Sequence, residues 1–241
     1  MISLAKVLVT LFLSALCCSC NLNFNINGLK GEGEVVRKEK NINENFTAIK
    51  ASRGLDVILL ESNDKKVIVE ANKNLHDHIE VYVKENTLYV TSDENIYRAD
   101  EKNVIVSYQN LDKIHVNSGA SISSQNVVSQ KELDLSATSG ADIKLDLNAK
   151  NVSTSVTSGA MVDLSGKVNN HSAKATSGAD IRAKDLLSMV SEAKATSGAS
   201  IKIYAKKEFT GKATSGADVI YYGNPQKVTA SDNSGGDVRK N

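Results

Sequence analysis

A repeat constrains this chain more than any other feature. A Ser-Gly pair followed by Ala or Gly returns seven times, with its glycine at 119, 140, 159, 178, 198, 216 and 235. The intervals are 21, 19, 19, 20, 18 and 19 residues, a nearly constant period while the flanking sequence drifts. Self-similarity of this kind signals a solenoid, in which a unit buries its apolar face only against its neighbours. Each unit has an alternating segment before the pair, such as "LDLSAT", and another after it, such as "DIKLDL". Two strands joined at a corner make one coil of a parallel β-helix, with about 19 residues per coil.

The corner explains its own residues. Glycine adopts positive φ at little cost, Ser, Thr and Asp bond nearby backbone groups in a sharp turn, and a small following residue lets corners stack. The next aliphatics, Ile122, Ile143, Val162, Ile181, Ile201, Val219 and Val238, are expected to form an internal ladder at the strand spacing of about 4.8 Å. Arg182 and Lys202, one residue further on, then face solvent. Between corner and ladder lie Ser121, Asp142, Met161, Asp180, Ser200, Asp218 and Asp237. Calcium is the functional alternative for such a row. Along most of it, however, neutral residues separate the carboxylates, leaving them two coils or about 9–10 Å apart, too far for one ion. Only Asp218 and Asp237 fall in consecutive units, so the row reads as structural, with no metal and no cofactor.

The first twenty residues, "MISLAKVLVTLFLSALCCSC", have a short n-region with Lys6 and an apolar run from Val7 to Leu16. That run fits a secretory signal and falls short of the roughly 20 residues of a membrane-spanning helix. All three cysteines, Cys17, Cys18 and Cys20, end this segment, which argues against a disulfide framework or zinc site in the rest. The arrangement resembles a bacterial lipoprotein signal. Cys20, after Ser19, is the expected lipidation site, with Cys18 as the alternative. The organisation read from this is a signal peptide over 1–19, a lipidated Cys and flexible tether over 20–34, and one β-helix domain over 35–241, with repeats from about 112. The N-terminal lipid places the protein in the cell envelope, expected at the outer membrane, with its periplasmic or surface face open.

From Val35 to Val116 the segments "FTAIKAS", "LDVILLE", "KVIVEA", "IEVYVKE", "TLYVTS" and "NVIVSY" read as irregular strands separated by turns. "RGLDVILL" at 53–60 echoes "SGADIKL". The 29 basic and 28 acidic side chains nearly cancel, and aromatics are 5% with no Trp, which excludes a basic nucleic-acid face. His76 and His78 could share a strand face as part of a metal site, but solvated loop histidines are the simpler reading. His115, His171 and the scattered Ser and Asp residues form no nucleophile-elbow signature or local acid/base cluster, so no catalytic residue is assigned. Tyr204, Tyr221 and Tyr222 could bind glycans or pack the end of a solenoid.

The run "FTAIKASRGLDVILLESNDKKVIVEANKNL", the later "TLYVTS", the Ser-Gly-Ala-Asp-Ile repeats and the closing "DVIYYGNPQKVTASDNSGGDVRK" resemble the putative auto-transporter adhesin, head GIN domain family over about residues 34 to 240. The family's usual Gly-Ser-Gly-Asp is written here Thr-Ser-Gly-Ala, and three units replace the Asp. The resemblance implies a right-handed parallel β-helix similar to pectin-lyase folds but without their catalytic residues, in a secreted or lipid-anchored protein. The expected function is a non-catalytic adhesion or ligand-binding module meeting a glycan or protein. The alternative is a structural envelope protein that self-associates into a homo-oligomer, and a polysaccharide lyase or glycosidase comes last.

Overall fold

The computed structural model describes residues 28–64 and 66–241, so Cys18, Cys20 and the signal segment lie outside the described residues. The chain is a parallel β-solenoid. In its regular part, strands Val128–Thr138, Asp142–Thr157, Met161–Thr176 and Asp180–Thr196 each run through a bend and pair in parallel with the next coil. Later coils are split into Ser200–Tyr204 with Glu208–Thr214, then Asp218–Tyr222 with Lys227–Asn233, and Asp237–Lys240 closes the stack.

The repeat glycines make the first corner. Ser177 and Gly178 have φ of 56° and 70°, and the Ala179 N–H donates to Thr176 O at 3.4 Å, closing a turn with two left-handed residues. The Gly178 N–H is free of that turn and donates to Ser197 O of the next coil at 3.1 Å, so the ladder continues around the corner. All seven Ser-Gly pairs have this pair of positive φ values, and Arg53-Gly54, at 56° and 71°, makes an eighth corner without a serine. The corner alanines are buried, as is Leu55 in the eighth. The aliphatic ladder points inward from Val57 through Ile122, Ile143, Val162, Ile181 and Ile201 to Val219, with Val238 partly buried at its end.

The second bend contains no fixed motif, and parity explains why. Strand residues alternate between core and solvent, so a coil with an odd number of residues must slip that alternation an odd number of times. Across the Ser-Gly corner the phase is kept: Val156, Ala160 and Val162 are all inward. The slip falls at the other side, between Leu147 and Val152 in one 19-residue coil and between Val168 and His171 in the next. The 18-residue coil runs in phase from Ala205 to Phe209, while the 20-residue coil slips twice, between Ala183 and Leu186 and between Ser188 and Ser191. Its first slip faces a register shift between Asp163 and Ser165. There Gly166, at φ 109°, lets the backbone approach a place where a Cβ would overlap the Leu147 carbonyl.

The N-terminal part departs from simple stacking order. Ala48–Ala51 lies between Thr87–Ser92 and Lys113–Val116, and Asp56–Glu61 lies between Lys102–Tyr108 and Ser121–Ser124, all in parallel. The coil formed by residues 48–61 is therefore sandwiched by two later ones. Beyond it, Val67–Asn72 adds antiparallel to Lys102–Tyr108 and Val35–Lys40 adds antiparallel to Val67–Asn72, while Ile79–Lys84 folds back on Thr87–Ser92. These antiparallel strands cap this end of the stack. Residues 28–34, read from sequence as tether, are held to the fold. Leu29–Lys30 pairs with Ile96–Arg98, and the Glu32 N–H donates to Asn74 Oδ1 at 2.7 Å.

Candidate functional site

Most carboxylates at the corners are engaged by the protein's own groups. Asp56 accepts from Ser121 Oγ at 2.6 Å and pairs with Lys102 at 3.3 Å, and Asp180 pairs with Arg182 at 2.8 Å. The one consecutive carboxylate pair, Asp218 and Asp237, is bridged by Arg239, which lies 3.4 Å from Asp218 and closer still to Asp237. No group of three His, Cys, Asp or Glu side chains suited to a metal ion occurs among the described residues.

The histidines separate. His76 is not on a strand or solvated; it sits in a 3-10 turn, Lys73–Asp77, buried with Nε2 3.0 Å from Val36 O. His78, just past the turn, pairs with Asp93 at 3.0 Å, so the two imidazoles have different partners. His115 lies 3.2 Å from Ser136 Oγ, and its pKa is lowered by burial, then by Lys50 and Lys113. His171 lies inside the solenoid, 3.1 Å from Thr154 Oγ1, and burial pushes its pKa down to about 4.

The tyrosines divide likewise. Tyr221 stacks on Phe209 with ring centroids 4.4 Å apart and packs against the core, its partner in register being Ile203. Tyr222 pairs in register with Tyr204. Tyr204 lines a recess of about 380 Å³ with Leu187 between Lys167 and Lys206.

A site that sequence reasoning missed lies where the chain leaves Lys102–Tyr108, crosses the sandwiched coil and enters Lys113–Val116. The Ser62 N–H donates to Tyr108 O at 2.9 Å and the Asp112 N–H to Thr47 O at 2.7 Å, tying the loops around residues 44–47, 62–64 and 109–112 together. They enclose a cleft of about 280 Å³ whose walls include Glu44, Phe46, Asp64, Tyr108, Gln109 and Asn110. It shares Ser62 and Gln109 with a second recess of about 340 Å³ that reaches Glu61 and Asn126. Asn126 is spent on the fold, its side-chain oxygen accepting the Glu61 N–H at 3.1 Å. Tyr108 is 3% exposed, and its hydroxyl has no hydrogen-bond partner among the described residues. Burial, then the charge of Glu61, pushes the phenol up to about 12, so it stays a protonated donor. The signal for this site was "ESND" facing "YQNLD", two polar runs that read as ordinary turns.

The family described as putative auto-transporter adhesin, head GIN domain, matches residues 45–225. Among solved structures, a putative adhesin from Bacteroides fragilis NCTC 9343 is similar with a TM-score of 0.80 at 17% identity, covering 89% of this chain and 100% of its own. A putative lipid binding protein from Parabacteroides distasonis ATCC 8503 has a TM-score of 0.72 at 16% identity, covering 88% and 99%. A putative adhesin from Parabacteroides merdae ATCC 43184 has 0.71 at 16%, covering 88% and 98%. At these identities the likeness is one of fold. No curated protein sequence matches the chain.

Proposed function

Because this chain belongs to the family described as putative auto-transporter adhesin, head GIN domain, we propose that it is a non-catalytic adhesion or ligand-binding module of the cell envelope, held at the outer membrane by acyl chains on Cys20. The observation that carries the reading is the cleft beside Tyr108: it opens between loops of the stack, and its walls hold hydrogen-bonding groups that the described fold leaves unused. No helix among the described residues is long and apolar enough to cross a bilayer. An anchor on Cys20 would supply the membrane link, since each buried methylene contributes about 0.8 kcal/mol.

The test has two parts. Wild-type chain should fractionate with membranes and take up palmitate label, and Cys20→Ala should lose both; label lost in Cys18→Ala and kept in Cys20→Ala would transfer the role. Beads coated with the chain should be retained on mucin or on envelope preparations. Retention no better than that of albumin-coated beads would remove the adhesion reading. Self-association is the second reading. It is favoured by Lys227–Asn233 and Asp237–Lys240, which pair along one edge only among the described residues. Light scattering on the purified chain separates it from a monomeric binder.

A further inference from the structure

We propose that the cleft between Glu44, Asp64 and Tyr108 is a binding site for a neutral, polyhydroxylated ligand, a glycan whose terminal sugar enters beside Phe46. The inference rests on the binding-module reading above and specifies its site and ligand class. The first observation is the buried Tyr108 hydroxyl without a partner. Leaving such a group unsatisfied is costly, so its place in a cleft wall favours an occupant that accepts from it.

The second observation is the character of the other groups. Glu44 and Asp64 make no ion pair with any described residue, and Asn110 has no hydrogen bond with one. Gln109 commits one amide hydrogen to Asn63 O at 3.3 Å, leaving its oxygen to the cleft. The described lining contains no Lys or Arg, and Glu61 adds a third carboxylate in the adjoining recess. The three negative charges of the described lining repel phosphates, sulfates, sialic acids and fatty acids. A purely apolar ligand would strip water from Glu44 and Asp64 and return nothing. A metal is disfavoured because the carboxylates form no three-ligand group.

Sugar hydroxyls meet these requirements together. They donate to the carboxylates, accept from the Tyr108 hydroxyl and the Asn110 amide, and do both with Gln109. The C–H face of a pyranose suits the half-buried Phe46 ring. A cleft of about 280 Å³ holds one ring, and the adjoining recess of about 340 Å³ continues in the direction a second residue would take. Such a site prefers a hydroxylated ligand to its deoxy analogue, because each missing hydroxyl leaves a wall group unpaired.

The experiment titrates the full-length chain in detergent with chitotriose, mannotriose, maltotriose and galactotriose, with sialyllactose and a heparin tetrasaccharide as anionic controls. At least one neutral trisaccharide should bind, more tightly than either control. Tyr108→Phe should weaken binding about fivefold while leaving the melting temperature equal or higher, since it removes an unpaired hydroxyl and keeps the ring. Glu44→Gln with Asp64→Asn should weaken binding tenfold or more, and Tyr204→Ala in the other recess should change nothing. Binding of the anionic glycans alone, binding unaffected by the cleft variants, or no sugar bound at millimolar concentration would each overturn the proposal. Mucin retention separates the two levels: if Glu44→Gln/Asp64→Asn beads stay bound, the module reading stands and this site for it falls. Retention blocked only by peptide competitors would point to a protein ligand and also overturn the glycan site.

Discussion

At the residue scale the most informative side chain is His171, because it sits in line with aliphatics. Its row in the stack runs Leu133, Val152, His171, Ser191 and Phe209. One ring nitrogen meets Thr154 and the other has no partner among the described residues, so the fold holds the imidazole neutral. Its pKa is about 4 in the fold against an ordinary 6.5. The unfolded chain therefore binds a proton first as pH falls. The stability from excluding that proton is complete above pH 6.5 and is lost as pH drops toward 4, by about 3 kcal/mol at most. Denaturant melts at pH 7, 6, 5 and 4 should show this decline, and His171→Val should flatten it relative to wild type. Equal slopes in both proteins would mean that His171 is not the group responsible. The sequence could not have disclosed this role. "NNHSAKAT" places the histidine beside the parity slip, and whether it faces in or out depends on which side of the slip it falls.

At the element scale the Ser-Gly corner was legible because its chemistry is local: two positive φ values, a small inward residue and an aliphatic can all be read from five consecutive letters. The second bend was not, because its only requirement is the parity of the coil, met by many sequences. The side-chain ladder there, Asn170 to Asn151 at 2.6 Å and Asn151 to Glu132 at 2.6 Å, is likewise invisible until the register is known. The corner makes a graded prediction. Ser177 is an L-residue in the left-handed region, a conformation that Asn accepts more readily. Ser177→Asn should therefore stabilise by up to about 1 kcal/mol. Gly178→Ala meets open space on its Cβ side, so its cost should be the conformational one alone, about 1–2 kcal/mol. Thermal melts of the two variants should move in opposite directions. A loss in both would show that the Ser177 side chain contributes something an amide cannot replace.

At the scale of the whole molecule, the stack has two regimes. The repeats follow chain order, so each coil depends on its two neighbours in sequence, whereas the coil at residues 48–61 pairs with strands 39 to 65 residues further along the chain, such as Tyr89 for Lys50, Lys113 for Ala48 and Ser121 for Asp56.

 The capped end is thus assembled from distant parts of the chain, and the repeats are added coil by coil. Sequence reading found the strands of both regimes but assigned no pairing to those before residue 112, because nothing in a strand's own letters says which distant edge it will join. The difference is testable by excision. Deleting residues 142–160, 19 residues from just after one corner alanine to the next, joins Ala141 to Met161. Ser121 then faces Met161 and Ile122 faces Val162, the same inward and outward pattern as before, and no like charges are brought together. The shortened chain should fold, with a β-type circular dichroism spectrum and a cooperative melt at a lower temperature, since one set of neighbour contacts is lost. Removing residues 48–61 instead takes out the layer to which both Thr87–Ser92 and Lys113–Val116 are bonded, and that chain should be insoluble or unfolded. Should the 142–160 deletion unfold as completely as the other, the coils would not be interchangeable units and stability would have to be a property of the full-length stack.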